Sequence, residues 1–180
     1  LDTLSGASDD LGGYPSDIQV FDDIVIVEGR SFYDVSGDEI EFIGNKISTD
    51  GAVMHTFKKD NYLYCQVQGT GFAVFNMTDP RNPIVVYEHD YEDENDYPYG
   101  IYANDEYIFL CDINYKIDNA EKIHIHENGG GFSKLGQINH EAYRVATHGN
   151  LLYTSNGKVY DISNPASPAE VSDSNWNGNS

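Results

Sequence analysis

Apolar residues come in short runs along this chain, and each run is cut off after a few positions by Asp, Asn or Gly. The runs "IVIV" from Ile24, "YLYC" from Tyr62, "YIFL" from Tyr107 and "LLYT" from Leu151 each follow such a break, "DD", "DN", "DE" and "GN". Their starts stand 38, 45 and 44 residues apart. A return at that period is the mark of propeller blades. Each run is preceded by a short segment, "DIQVF", "MHTFK", "YGIYA" or "YRVAT", and followed by a third, "SFYDV", "GFAVF", "KIHIH" or "KVYDI". A fourth closes the unit: "IEFIG", "PIVVYE", "SKLGQI" and a weaker "PAEVS".

The pattern predicts an all-β fold, a β-propeller built from four blade-like four-stranded antiparallel repeats, as a four-bladed ring or part of a larger ring. Units fall at about 17–50, 51–95, 96–139 and 140–173, between a polar N-terminal extension, 1–16, and a polar C-terminal tail, 174–180. A helical solenoid needs amphipathic segments of ten residues or more at a 3.6 period, which are missing here. A β-sandwich has room for the strands but gives no reason for the period.

Composition agrees. Tyr (14) and Phe (8) supply material for a pleated, half-buried surface, and Gly (17) supplies turns. The net charge of −20 argues against a nucleic-acid backbone and an anionic membrane surface, both of which need clustered Lys and Arg. No run approaches the length of about 20 apolar residues that spans a bilayer, so no membrane insertion is expected. The first residues, "LDTLSGASDDLGG", show neither the basic nor the apolar part of a signal peptide, which leaves secretion of a trimmed chain open. Cys65 and Cys111, the two cysteines, each end an apolar run and read as small buried hydrophobes rather than as a disulfide scaffold.

Two stretches carry a resemblance. "VFNMTDPRNPIVV" (74–86) and "VYDISNPASPAEV" (159–171) resemble the LVIVD-type repeat, in which a strand ends in an Asp-Ile/Val-Ser-like tripeptide, turns through (D/N)P-x-x-P and continues in a Val-rich strand. "PYGIYANDEYIFLCD" (98–112) resembles the opening half of the same repeat. Unit 1 keeps "DVS" without the prolines, and in unit 3 a triple glycine replaces the proline turn. The resemblance implies a β-propeller, usually on secreted or cell-surface bacterial or archaeal proteins, mostly without an assigned activity and with more than four blades.

Candidate chemistry is sparse. Asp112, Asn114 and Asp118 stand at relative positions 1, 3 and 7 of "DINYKIDN", oxygen ligands of the kind Ca²⁺ takes, although the glycine and final Glu of an EF-hand loop are missing. The alternative is an extended connection between two strands. His124 and His126, two apart, share a strand face, and with His140 and His148 nearby a Zn or Cu site is conceivable; no Asp or Glu partner is spaced to match, and polar alternation on an exposed strand accounts for the pair. "EHDYEDENDYPYG" (88–100) joins acids to tyrosines in what reads as an exposed inter-blade loop, fit for a cation or a basic or carbohydrate partner, or a solvated spacer. Asn76 opens the glycosylation sequon "NMT".

No local catalytic signature is present: no G-x-S-x-G, HExxH, Walker loop or GxGxxG. The expectation is therefore a non-enzymatic extracellular or cell-surface propeller that binds a protein partner or self-associates, as a filament or layer subunit, with Ca²⁺ the one cofactor in view. The rival is a hydrolase or lyase with a metal site centred on the propeller channel.

Overall fold

The computed structural model describes residues 17–68, 71–89, 96–114 and 120–173. Among these, every regular element is a strand. Blade 1 holds β1 (Ile18–Phe21), β2 (Ile24–Val27), β3 (Ser31–Asp34) and β4 (Glu41–Asn45); blade 2 holds β5 (Val53–Lys59), β6 (Tyr62–Val67), β7 (Gly71–Asn76) and β8 (Ile84–His89). Blade 3 holds β9 (Asp96–Ala103), β10 (Tyr107–Asn114), β11 (Ala120–Glu127) and β12 (Lys134–Ile138); blade 4 holds β13 (Val145–His148), β14 (Leu151–Thr154), β15 (Lys158–Asp161) and β16 (Ala169–Asp173). Each blade is a four-stranded antiparallel meander in chain order, as the period predicts. The fold is all-β, a β-propeller of four blade-like repeats.

A meander of this kind has apolar side chains on both faces and needs a neighbour on each. Strand alternation decides which residue meets which neighbour. In β2, Ile24 and Ile26 turn towards blade 2 and pack with Phe21 and Phe32 against Leu63, Cys65, Ala73 and Phe75. In β6, Tyr64 turns the other way and joins Phe72 and Val74 against Ile101, Ile108 and Leu110 of blade 3. In β10 and β11, Phe109, Cys111, Ile123 and Ile125 meet Val145, Leu152, Tyr160 and Ile162 of blade 4. Three seams, 1|2, 2|3 and 3|4, thus each have a dry core. Covered on both sides, β6 and β7 are buried almost end to end, which is why their sequences read as continuous apolar runs.

The rims repeat as well. The register of the third strand against the fourth slips once in every blade, between Phe32 and Tyr33, Val74 and Phe75, Ile125 and His126, and Val159 and Tyr160. Such bulges sharpen the twist of the outer strand. In blades 2 and 4 the proline stretches form the same turn: Asn82 N donates to Asp79 O at 3.0 Å and Ser167 N to Asn164 O at 3.0 Å. Proline suits this place because its fixed φ fits the turn and its missing donor is not needed at a strand start.

These rim turns also reach back to the preceding blade. Arg81 pairs with Asp34 of blade 1, Phe132 stacks on Tyr87 of blade 2 with ring centroids 4.4 Å apart, and the turn at Pro165 covers Gly136 of blade 3. A Cβ on Gly136 would stand 2.1 Å from Pro165 O, so only glycine admits that turn.

One sequence expectation needs correction: Asp112 and Asn114 belong to the end of β10 rather than to an extended connection. The hairpin register, with Phe21 opposite Ile24, Lys59 opposite Tyr62, Ala103 opposite Ile108 and His148 opposite Leu151, makes Asp17, His55, Gly100 and Arg144 the equivalent positions of the four first segments.

Candidate functional site

The four equivalent positions, Asp17 and Arg144 just before β1 and β13, His55 near the start of β5 and Gly100 within β9, converge. Asp17 Oδ2 accepts the backbone N–H of Thr56 at 2.7 Å and lies 3.3 Å from His55 Nδ1, while Asp17 Oδ1 lies 3.7 Å from Arg144 Nη2. Arg144 Nη1 donates to Tyr99 O at 3.0 Å and passes 3.4 Å from His55 Nδ1. With its hydrogen on Nδ1, His55 donates to the Asp17 carboxylate. Blade 3 contributes no side chain. A Cβ on Gly100 would stand 2.4 Å from Tyr143 O and 2.7 Å from Arg144 Nη1, so glycine leaves the space that the guanidinium crosses.

Electrostatics tie this group together. Burial works to raise the pKa of Asp17, but the His55 hydrogen bond, the Thr56 amide and the charges of His55 and Arg144 outweigh it, and the carboxyl sits below its ordinary 3.8. Asp17, His55 and Arg144 therefore form an ionic bridge between blades 1, 2 and 4 where the first strands of the blades converge. Chemically the group offers a carboxylate, an imidazole and a fixed cation within one side-chain length.

A second polar group lies inside seam 2|3. Gln66 Nε2 donates to Asp112 Oδ1 at 2.6 Å and to Cys111 O at 3.2 Å, and His124 Nε2 stands 3.8 Å from Asp112 Oδ2. His126 Nδ1 is 3.1 Å from Phe132 O, and its ring meets Phe72 edge-on at 5.0 Å. Both histidines are buried, which corrects the exposed-strand reading: they face blade 2 because the third strand of blade 3 is covered on that side. His140 and His148 do not join them, since His140 binds Asn156 at 3.0 Å and His148 is exposed. Among the described residues, no group of three His, Cys, Asp or Glu side chains is placed to hold a metal ion.

Of the calcium candidates, Asp112 is buried in this seam; the side chain of Asn114 and the whole of Asp118 lie outside the described residues. In the acidic stretch, residues 90–95 lie outside them too. Tyr87, at its edge, serves the blade contact with Phe132. Asn76 ends β7, and its Oδ1 accepts the Thr78 N–H at 2.8 Å. Ser36 on Asp34 and Ser163 on Asp161 repeat that turn at 2.9 and 2.8 Å, which gives the sequon a structural role beside any glycan. Cys65 and Cys111 are free and buried.

The third feature is a surface. The face of blade 1 directed away from blade 2 carries Ile18 (63% exposed), Val20 (48%) and Phe42 (56%), around the half-buried Val25, Val27 and Tyr33. The face of blade 4 directed away from blade 3 carries Tyr153 (40%) and the half-buried Leu151 and Val159. Among the described residues, no apolar cluster joins blade 4 to blade 1.

Sequence reasoning missed the Asp17, His55 and Arg144 group, though a signal was available. Asp17, His55, Gly100 and Arg144 stand 38, 45 and 44 residues apart, the period of the apolar runs themselves.

No family model and no curated protein matches this chain. Solved structures do. The computationally designed Ika8 protein is similar with a TM-score of 0.57 at 12% identity, over 84% of this chain and 46% of its own. The designed Ika4 protein gives 0.51 at 12%, over 91% and 96%, and the N-terminal domain of Nup159 gives 0.51 at 12%, over 89% and 55%. The chain thus spans about half the length of two of these three. At such identity the likeness shows the fold alone, a β-propeller.

Proposed function

We propose that this chain is a non-enzymatic propeller module that acts by protein contact, at the cell surface or outside the cell, as a binding unit or a self-associating subunit of a filament or layer. The observation that carries the reading is the pair of apolar sheet faces on blades 1 and 4. Contiguous apolar surface on a folded domain marks a place where another surface docks. The surface location rests on the LVIVD-type resemblance, and a charge of −20 suits cation-rich surroundings that screen it. Static light scattering over a concentration series, with and without Ca²⁺, tests the reading. Growth of the scattered mass is expected; a chain that stays at 20.1 kDa throughout and retains no partner removes it.

The second reading, a hydrolase or lyase, draws on the 3.3 Å approach of His55 to Asp17. A carboxylate beside an imidazole is the start of both metal and acid–base chemistry. Lack of turnover on esters and glycans by chain loaded with Zn²⁺ or Ca²⁺ removes it.

A further inference from the structure

The three closed seams follow one rule of registration. Position one and position three of the second strand face the following blade, and positions two and four face the preceding one. Ile24 and Ile26 thus lie across from Leu63 and Cys65, and Phe109 lies across from Leu152. Continued once more, the rule sets Leu151 and Tyr153 of blade 4 against Val25 and Val27 of blade 1. All four are part-exposed, unlike the residues just named in the closed seams.

The rims say the same. The rim turns of blades 2, 3 and 4 each contact the blade before, through Arg81 on Asp34, Phe132 on Tyr87 and Pro165 over Gly136. The corresponding turn of blade 1 carries exposed Ile40. Within one chain, only the long Asp17 to Arg144 contact links blade 1 with blade 4 among the described residues' ion pairs.

We propose that a second copy of this chain fills the open seam, the free face of blade 4 in one copy packing on the free face of blade 1 in the next. This deepens the self-association reading above and rests on it. The contact is head to tail, so the two surfaces differ and each copy offers both. Made twice between two copies, it closes a ring of blades; made in succession it builds a chain. The faces themselves hold few charges, and the repulsion between two copies of charge −20 comes from elsewhere on the surface. Salt therefore strengthens the contact by screening.

The test mixes two single variants of the full chain, Val25→Cys and Tyr153→Cys, under mild oxidation. The native Cys65 and Cys111 are buried and stay out of the reaction. A disulfide-linked heterodimer forming faster than either homodimer, with a yield that rises with NaCl, is the expected result. A Val25→Cys/Tyr153→Cys double variant that cross-links within one chain at high dilution overturns the proposal in favour of closure in cis. Val20→Asp adds a second readout. Its side chain is exposed in the single chain, so melting should hold while association falls at least tenfold. Association that survives Val20→Asp and gives no heterodimer overturns this seam but leaves self-association standing. A single 20.1 kDa species under all conditions removes both.

Discussion

Seam 1|2 and the gap between blades 4 and 1 are made from the same kind of strand, yet only the first is a core. Phe32 and Phe42 sit on neighbouring strands of blade 1 and differ chiefly in which way they face. Phe32 points at blade 2 and is fully buried; Phe42 points away from it and is more than half exposed. For the inner three strands, what separates core from surface is therefore the presence of a next blade; the outer strands stay exposed even between closed seams, as Ile84, Val85 and Val86 of blade 2 show. A repeat protein puts its stability into nearest-neighbour interfaces, and a terminal face without a neighbour contributes little to it.

The sharpest test of that contrast is a pair of truncations. Phe32→Ala should destabilise the single chain by about 3–5 kcal/mol, since it removes a buried ring and leaves a cavity. Phe42→Ala should cost less than about 1 kcal/mol at concentrations where the chain is monomeric. Urea unfolding monitored by tyrosine fluorescence measures both, and equal losses would erase the distinction drawn between the two faces.

Gly100→Ala comes next. Its methyl group meets a backbone carbonyl and the guanidinium that crosses blade 3, so the expected cost is about 1–3 kcal/mol in thermal melting. A neutral substitution would mean that blade 4 is free to move away from blade 3 at the axis.

Acid probes the ionic bridge. The pKa of Asp17 is lowered in the folded chain, so its ionised form adds stability above the unfolded value of 3.8, and that stability is lost as pH falls through the lower folded value. The gap in urea midpoint between wild type and Asp17→Asn should shrink as the pH falls below about 4. Asp34, held down to about 2 by the Ser36 turn and Arg81, titrates in the same direction and is common to both proteins.

The smallest effect belongs to the outer surface of seam 2|3, where Lys59 Nζ lies 2.5 Å from Asp105 and 2.7 Å from Asp60. Lys59→Ala should change stability by about 0.2–1 kcal/mol, and by less in 1 M NaCl, because exposed ion pairs are screened. A large, salt-independent loss would show that the seam depends on charge and not on its apolar core.

Much of this was legible in the chain. The four runs, their period and the proline turns pointed to four four-stranded antiparallel units, which the described residues form, because each is a local signal of turn chemistry and alternation. The candidate sites were less legible. His124 and His126 look like an exposed polar pair until blade 2 is laid over them, a contact between residues far apart in sequence. Gln66 stands in an apolar run, and only packing brings it to Asp112. On the first strands the four equivalent positions hold Asp, His, Gly and Arg, so a comparison of residue types passes over them and only the spacing connects them.

The two thiols give these seams separate clocks. Cys65 lies in the core between blades 1 and 2, and Cys111 in the core between blades 3 and 4. Burial pushes both thiols up, Cys111 to about 12, so neither is a thiolate nor within reach of an alkylating reagent while its seam is shut. Alkylation followed by mass spectrometry then times the opening of each interface in the unmodified protein, and the order in which the two masses appear tells which end of the blade array unzips first.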